Sequence, residues 1–191
     1  MTFQETLRVI NEDLERITTS RFGKIRLIIF SPISKFLLAY RLGGYFMKAP
    51  LYLKPLKIFN GILYRHYKYK LGIELEYGTK IGGGLKIQHY QDIVINGASV
   101  IGKNCSIYNG VTLGANLYQK GPRPVLGDNV VVCTGAKLLG GVHIGDNSII
   151  AANAVVTHDV PSGCIAAGVP AKIIATGQEE KAKLWLNRGL H

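Results

Sequence analysis

Residues 75 to 156 carry a six-residue period, and that period leaves few folds open. Bulky aliphatic residues fall at Leu75, Ile81 and Ile87, return after a two-residue shift at Ile95, Ile101, Ile107 and Leu113, and resume after a seven-residue surplus at Leu126, Val132, Leu138, Ile144, Ile150 and Val156. Four positions after each, the residue is usually small or β-branched, as at Thr79, Ser99, Cys105, Val111, Val130, Ala136, Val142, Ser148 and Ala154. Glycine often follows the aliphatic directly, as at Gly82, Gly102, Gly114, Gly127 and Gly145. A helix repeats every ~3.6 residues and a lone strand every ~2, so neither explains a hexad. A β-solenoid does, with each hexad forming one short strand and a turn. The aliphatic then points inward at a fixed corner, stacked coils share one core, and only slim side chains fit the second inward position. Three hexads close a triangular coil, so about twelve hexads predict about four coils.

The chain has 191 residues, enough for one solenoid and a smaller appendage, and its 47% hydrophobic content argues against a disordered chain. Cys105, Cys133 and Cys164 are odd in number and lack paired metal-ligand spacing. They read as small, reduced, buried residues, which predicts a cytoplasmic protein without a metal centre. No apolar run reaches the ~18 residues of a membrane-spanning helix. The first residues, MTFQETLRVINEDLERI, lack the basic start and apolar centre of a signal peptide.

Charge is unevenly placed. Arg16 to Lys70 holds twelve Lys or Arg and no Asp or Glu, whereas residues 71–191 hold ten basic and eight acidic residues. Twelve of the seventeen aromatic residues also lie in residues 1–70. The expected organisation is a basic helical segment over 1–70, the solenoid over 71–174 and a helical tail over 175–191. Thr2 and Glu5 form a capping-box pattern for a first helix near 3–18. Ser31-Pro32 starts a second, which runs to about Leu42, where Gly43-Gly44 loosens it; a third covers Leu56 to Tyr69. A short terminal helix over Glu179 to Asn187 is expected to bury Leu184 and Trp185. The basic, aromatic segment suits an anionic surface such as the inner face of the plasma membrane. The competing expectation is that these helices cap the solenoid with their charges solvated.

The stretch from Ile73 through Glu74-Leu75 and Ile81-Gly82-Gly83-Gly84 to Gln88-His89, with Val111-Thr112-Leu113-Gly114 and Ala167-Gly168-Val169-Pro170-Ala171-Lys172, resembles the hexapeptide-repeat acyltransferases. Within them it resembles serine O-acetyltransferases over about residues 73–174, and bacterial exopolysaccharide O-acetyltransferases in its short basic N-terminal segment. The resemblance implies a mainly β fold, a left-handed parallel β-helix flanked by an N-terminal helical segment and a short C-terminal helix. It also implies a homotrimer, and acetyl-CoA as co-substrate with no tightly held cofactor. His89 lies at the two-residue shift and matches the family's general base. An imidazole titrates near neutral pH, so it can take a hydroxyl proton and pass it to a thiolate. Glu74 matches the family's acidic partner, one methylene longer; Asp92, three residues after the histidine, is the rival.

The seven-residue surplus predicts a loop from Ala115 to Pro124. Within it Arg123 stands where the serine enzymes have a second histidine, and Gln88 stands where they have an aspartate beside the base. By resemblance, Gly114, Ala115, Thr134 and Ala152 line the CoA groove between subunits and Lys172 reaches its phosphates. An arginine and an amide suit a sugar hydroxyl array, carboxylate or phosphate better than a free amino acid. On that ground Gln88, Asp92 and Arg123 are expected to contact a sugar acceptor of a surface polysaccharide or its precursor. The alternatives are a serine O-acetyltransferase and, from another class, a non-catalytic solenoid scaffold. No nucleic-acid motif accompanies the positive charge.

Overall fold

The computed structural model describes residues 2–115 and 121–187. Residues 116–120 of the expected loop, and 188–191, lie outside the described residues. Among the described residues, fourteen short strands wind into a parallel β-solenoid of about four coils with three sheets as its walls, and a fifteenth runs antiparallel at its end. The first sheet stacks Ile73–Leu75, Ile93–Ile95, Thr112–Gly114, Lys137–Leu139 and Val155–Val156. The second stacks Lys80–Ile81, Val100–Ile101, Val125–Leu126 and His143–Ile144. The third stacks Lys86–Gln88, Ser106–Tyr108, Val131–Val132, Ile149–Ile150 and Ile165–Gly168, then adds Ala171–Ala175 antiparallel.

The strand register reproduces the hexad arithmetic. Ile73 sits opposite Ile93, Val94 opposite Thr112, Thr112 opposite Lys137 and Lys137 opposite Val155, giving steps of twenty, eighteen, twenty-five and eighteen residues. Eighteen is three hexads; the excesses are the two-residue shift and the seven-residue surplus. The thirteen aliphatics point inward, with Ile81 partly buried and the others buried, and all nine slim positions from Thr79 to Ala154 are buried. The glycines after the aliphatics have a packing cause. A Cβ on Gly82 would lie 2.7 Å from the backbone of Gly102 in the next coil, so a larger residue would force the coils apart.

The N-terminal segment forms four helices: α1 (Phe3–Glu15), α2 (Arg21–Phe30), α3 (Pro32–Phe46) and α4 (Lys54–Leu71). The capping box at Thr2 and the Ser31 cap with Pro32 are formed as expected. Helix α2 was not anticipated. Its sequence, RFGKIRLIIF, spreads its apolar residues round the helix instead of gathering them on one stripe, and none of its residues is fully buried. Helix α3 runs through Gly43-Gly44 instead of loosening there. A side chain on Gly43 would overlap the Tyr77 ring, so that glycine serves close packing rather than a break.

These helices cap the first coil. Tyr40 Oη donates to the Thr79 carbonyl at 2.8 Å, and Tyr64 Oη donates to the Leu75 carbonyl. Arg41 donates to the Ile81 and Gly82 carbonyls and pairs with Asp13, which itself accepts from the Leu85 N–H. At the other end α5 (Glu179–Asn187) lies on the third sheet. It buries Ala182 and Leu186 against Val131 and Ile149, with Trp185 half-buried. The expectation that it buries Leu184 is corrected: that side chain is 67% exposed, because the helix turns the 182/186 stripe inward.

Candidate active site

The two-residue shift builds the most distinctive feature of the wall. Gln88 pairs with Tyr108, and the Gln91 carbonyl accepts from the Gly110 N–H. His89 and Tyr90 are therefore the extra pair relative to the next coil. His89 takes φ 51, a left-handed conformation unusual for a side chain of its size, and its ring is exposed. The bulge turns the imidazole out of the strand path, 6.2 Å from the Tyr108 ring by centroids.

Asp92 has a backbone role. It stands in register with Gly110, Gly135 and Asn153, which all take positive φ, as Asp92 does at 53°. A corner that demands this conformation selects Gly, Asn or Asp. Glu74 lies outward on the first-sheet strand opposite Val94. The bulge packs against the residues just before it, since a Cβ on Gly72, two residues before Glu74, would sit 3.4 Å from the Asp92 backbone nitrogen. Among the described residues neither Glu74 nor Asp92 forms an ion pair with His89. The structure thus places both acids around the bulge without choosing a partner.

Tyr108, the ring nearest His89, stands at one end of a groove that runs across successive coils. Tyr108, Cys133 and Ala151 follow Gln88 along the outer face of the third sheet. The groove holds about 420 Å³ and is lined by Tyr108, Thr134, Ala152, Ile165, Lys181 and Trp185, among others. Thr134 and Ala152, two of the expected CoA positions, are in it. Their small side chains leave the backbone approachable. Trp185 meets Tyr108 edge-on with centroids 6.4 Å apart, so α5 closes one side. Gly114 and Ala115 lie instead at the end of a first-sheet strand, where the Leu139 side chain is 3.6 Å from the Cβ position of Gly114. Lys172 is exposed on the antiparallel strand opposite Ala167. The groove is lined by a different lysine, Lys181. Tyr108, Lys181 and the groove-facing role of Trp185 were missed by sequence reasoning; only the i, i+4 spacing of apolar residues in α5 hinted at the last.

Cys133 lines the groove, and burial pushes its thiol pKa up, which disfavours the thiolate. Burial takes Cys105 up to about 12. Arg123 is half-buried and turned back, its guanidinium donating to the Gly121 carbonyl. Among the described residues no cluster of His, Cys, Asp or Glu is arranged to hold a metal ion.

Residues 123–158 match the family of bacterial transferase hexapeptide (six repeats). Serine acetyltransferase of Helicobacter pylori (strain J99) is 39% identical over 168 residues, which cover 87% of this chain and 92% of that protein. Serine acetyltransferase of Synechococcus elongatus is 41% identical over 125 residues, 65% of this chain, and the match spans about half (51%) of that longer relative. Among solved structures, serine acetyltransferase from Brucella abortus strain S19 in complex with coenzyme A superposes with TM-score 0.74 at 26% identity, covering 91% of this chain and 69% of that one.

These relatives overturn the expected sugar acceptor and its place in polysaccharide synthesis. That reading leaned on Gln88, Arg123 and a short N-terminal segment. Arg123 is engaged by its own loop, and the Helicobacter relative matches over nearly its full length, so brevity does not separate the two classes. With sequence identity sustained over 87% of its length, the chain belongs to the serine acetyltransferase family.

Proposed function

We propose that this protein transfers the acetyl group of acetyl-CoA to the hydroxyl of serine. Membership of the family supports the acceptor, and the Brucella relative's complex with coenzyme A supports the donor. The observation that carries the mechanism is the bulge, which sets an exposed His89 beside Tyr108, the ring that borders a groove floored by Thr134, Ala151 and Ala152.

In this reading the pantetheine arm lies along Thr134 and Ala152 with its thioester at the His89 end. The imidazole takes the proton of the serine hydroxyl as its oxygen attacks the thioester carbonyl carbon. The tetrahedral intermediate collapses, the carbon–sulfur bond breaks, and the imidazolium returns the proton to the departing thiolate. Glu74 is the preferred positioning residue, because Asp92 already answers a backbone demand. Lys181 and Lys172 supply positive charge for the phosphates. Gln88, beside the base, faces the acceptor. Gly114 and Ala115 contribute across a subunit boundary in a homotrimer.

Acetyl-CoA turnover, read as free thiol, tests the reading. Serine should support multiple turnovers, and unmodified oligosaccharides and nucleotide sugars should not exceed the background hydrolysis. Absence of serine-dependent thiol release by well-folded protein would refute it.

A further inference from the structure

The helical cap covers the first coil with one side and leaves another bare. Between the end of α3 and the middle of α4 lies an apolar groove of about 450 Å³. Phe46, Leu51, Ile58 and Ile62 line it, and Lys54, Lys57 and Arg65 stand on its rim. Around it Leu51 is 81% exposed and Phe59 66% exposed, with Tyr52 and Leu56 also bare. Clustered exposed apolar side chains rimmed by charge mark an interaction surface.

The charges identify the cover. Not every cation of the basic segment is available: Arg41 is consumed by Asp13, Lys24 by Glu15, and Arg16 donates to Ser106. Among the described residues, Lys54, Lys57, Arg65, Lys68 and Lys70 have no carboxylate partner, and α4 contains no acid. A second copy docking isologously here would bring this lysine-rich face against itself, which like charges disfavour. A surface that is anionic and accepts apolar side chains fits both properties. Among the described residues no helix is long and apolar enough to cross a membrane, which leaves attachment in the interface plane. We infer that the face formed by Leu51–Leu53 and the N-terminal half of α4 docks on an anionic lipid surface, with Ile58, Phe59 and Ile62 entering the headgroup region and Lys54, Lys57 and Arg65 holding the phosphates.

The test is co-sedimentation of the full-length protein with vesicles of phosphatidylcholine alone or mixed with phosphatidylglycerol. The protein should sediment with the anionic vesicles only, and less as salt rises. The triple variant Lys54→Gln/Lys57→Gln/Arg65→Gln should bind about a hundredfold more weakly, from about fivefold per basic residue near an anionic surface. Ile58→Ser/Ile62→Ser should also lose binding while far-UV circular dichroism and serine acetylation persist. The comparison variant Arg21→Gln/Arg26→Gln on α2 should bind as wild type. Four results would each overturn the inference: no binding to anionic vesicles at low salt, equal binding to neutral vesicles, wild-type binding by the triple variant, or altered oligomeric state with unaltered lipid binding. The last would assign the face to a second copy.

Discussion

Replacing Arg41 with leucine would expose how the cap is held to the solenoid. The Arg41 and Asp13 side chains are 4% and 5% exposed. Arg41 Nε and Nη2 donate to the two carboxylate oxygens at 2.9 and 3.1 Å, and Nη1 and Nη2 reach the Ile81 and Gly82 carbonyls at 2.7 and 2.8 Å. Arg41→Leu leaves a buried carboxylate with the Leu85 N–H as a remaining donor, and strips two carbonyls of theirs. Breaking a buried pair costs about 3–5 kcal/mol, and the carbonyl bonds add about 1 kcal/mol each, less what relaxation recovers, so we expect a loss of about 4–6 kcal/mol. The assay is urea unfolding at equal protein concentration, with amide exchange at Leu85 locating the damage. Burial already pushes the Asp13 carboxyl pKa up, and Arg41 pulls it down; without Arg41 the folded-state value lies further above the unfolded one. The penalty should therefore be smallest where the carboxyl is protonated and grow as pH rises through its folded value. Asp13→Leu/Arg41→Leu should recover part of the loss. A loss below about 1 kcal/mol, the scale of a surface pair, or one that grows on acidification, would refute the reasoning.

His89→Ala should retain the fold and acetyl-CoA binding but lose at least ~100-fold in turnover; Glu74→Gln should cost less, and a larger effect from Asp92→Asn in steady-state kinetics would reassign the partner. Trp185→Ala should raise KM for acetyl-CoA by up to about tenfold with kcat little changed, because the indole flanks the groove and not the bulge. Gly43→Ala should destabilise by about 1–3 kcal/mol in thermal or urea unfolding, since the new methyl meets the Tyr77 ring. Analytical ultracentrifugation should give a trimer or a multiple of it; a stable, active monomer would remove the shared-site element of the mechanism.

The solenoid was legible from residues alone because its repeat is local: each hexad places one aliphatic and one slim residue inward, whatever the remaining chain does. Both interruptions were legible too, since an insertion displaces every later aliphatic by the same amount. His89 stood out for that reason. Helix α2 did not, because its apolar residues are spread round the helix and leave no single periodic stripe to read. Gly43-Gly44 read as a break because its partner, Tyr77, lies thirty-four residues away on the solenoid. The basic segment looked uniform in sequence, but packing divided it into cations that hold the cap, such as Arg41, and cations that face outward, such as Lys57. That the Arg123 guanidinium reaches back to the Gly121 carbonyl was not readable from the residues alone. Periodic, short-range patterns are written in the order of the residues. Which side chain a glycine makes room for, which cation is neutralised and which groove a tail helix borders depend on groups brought together from distant parts of the chain, and only the tertiary structure decides them.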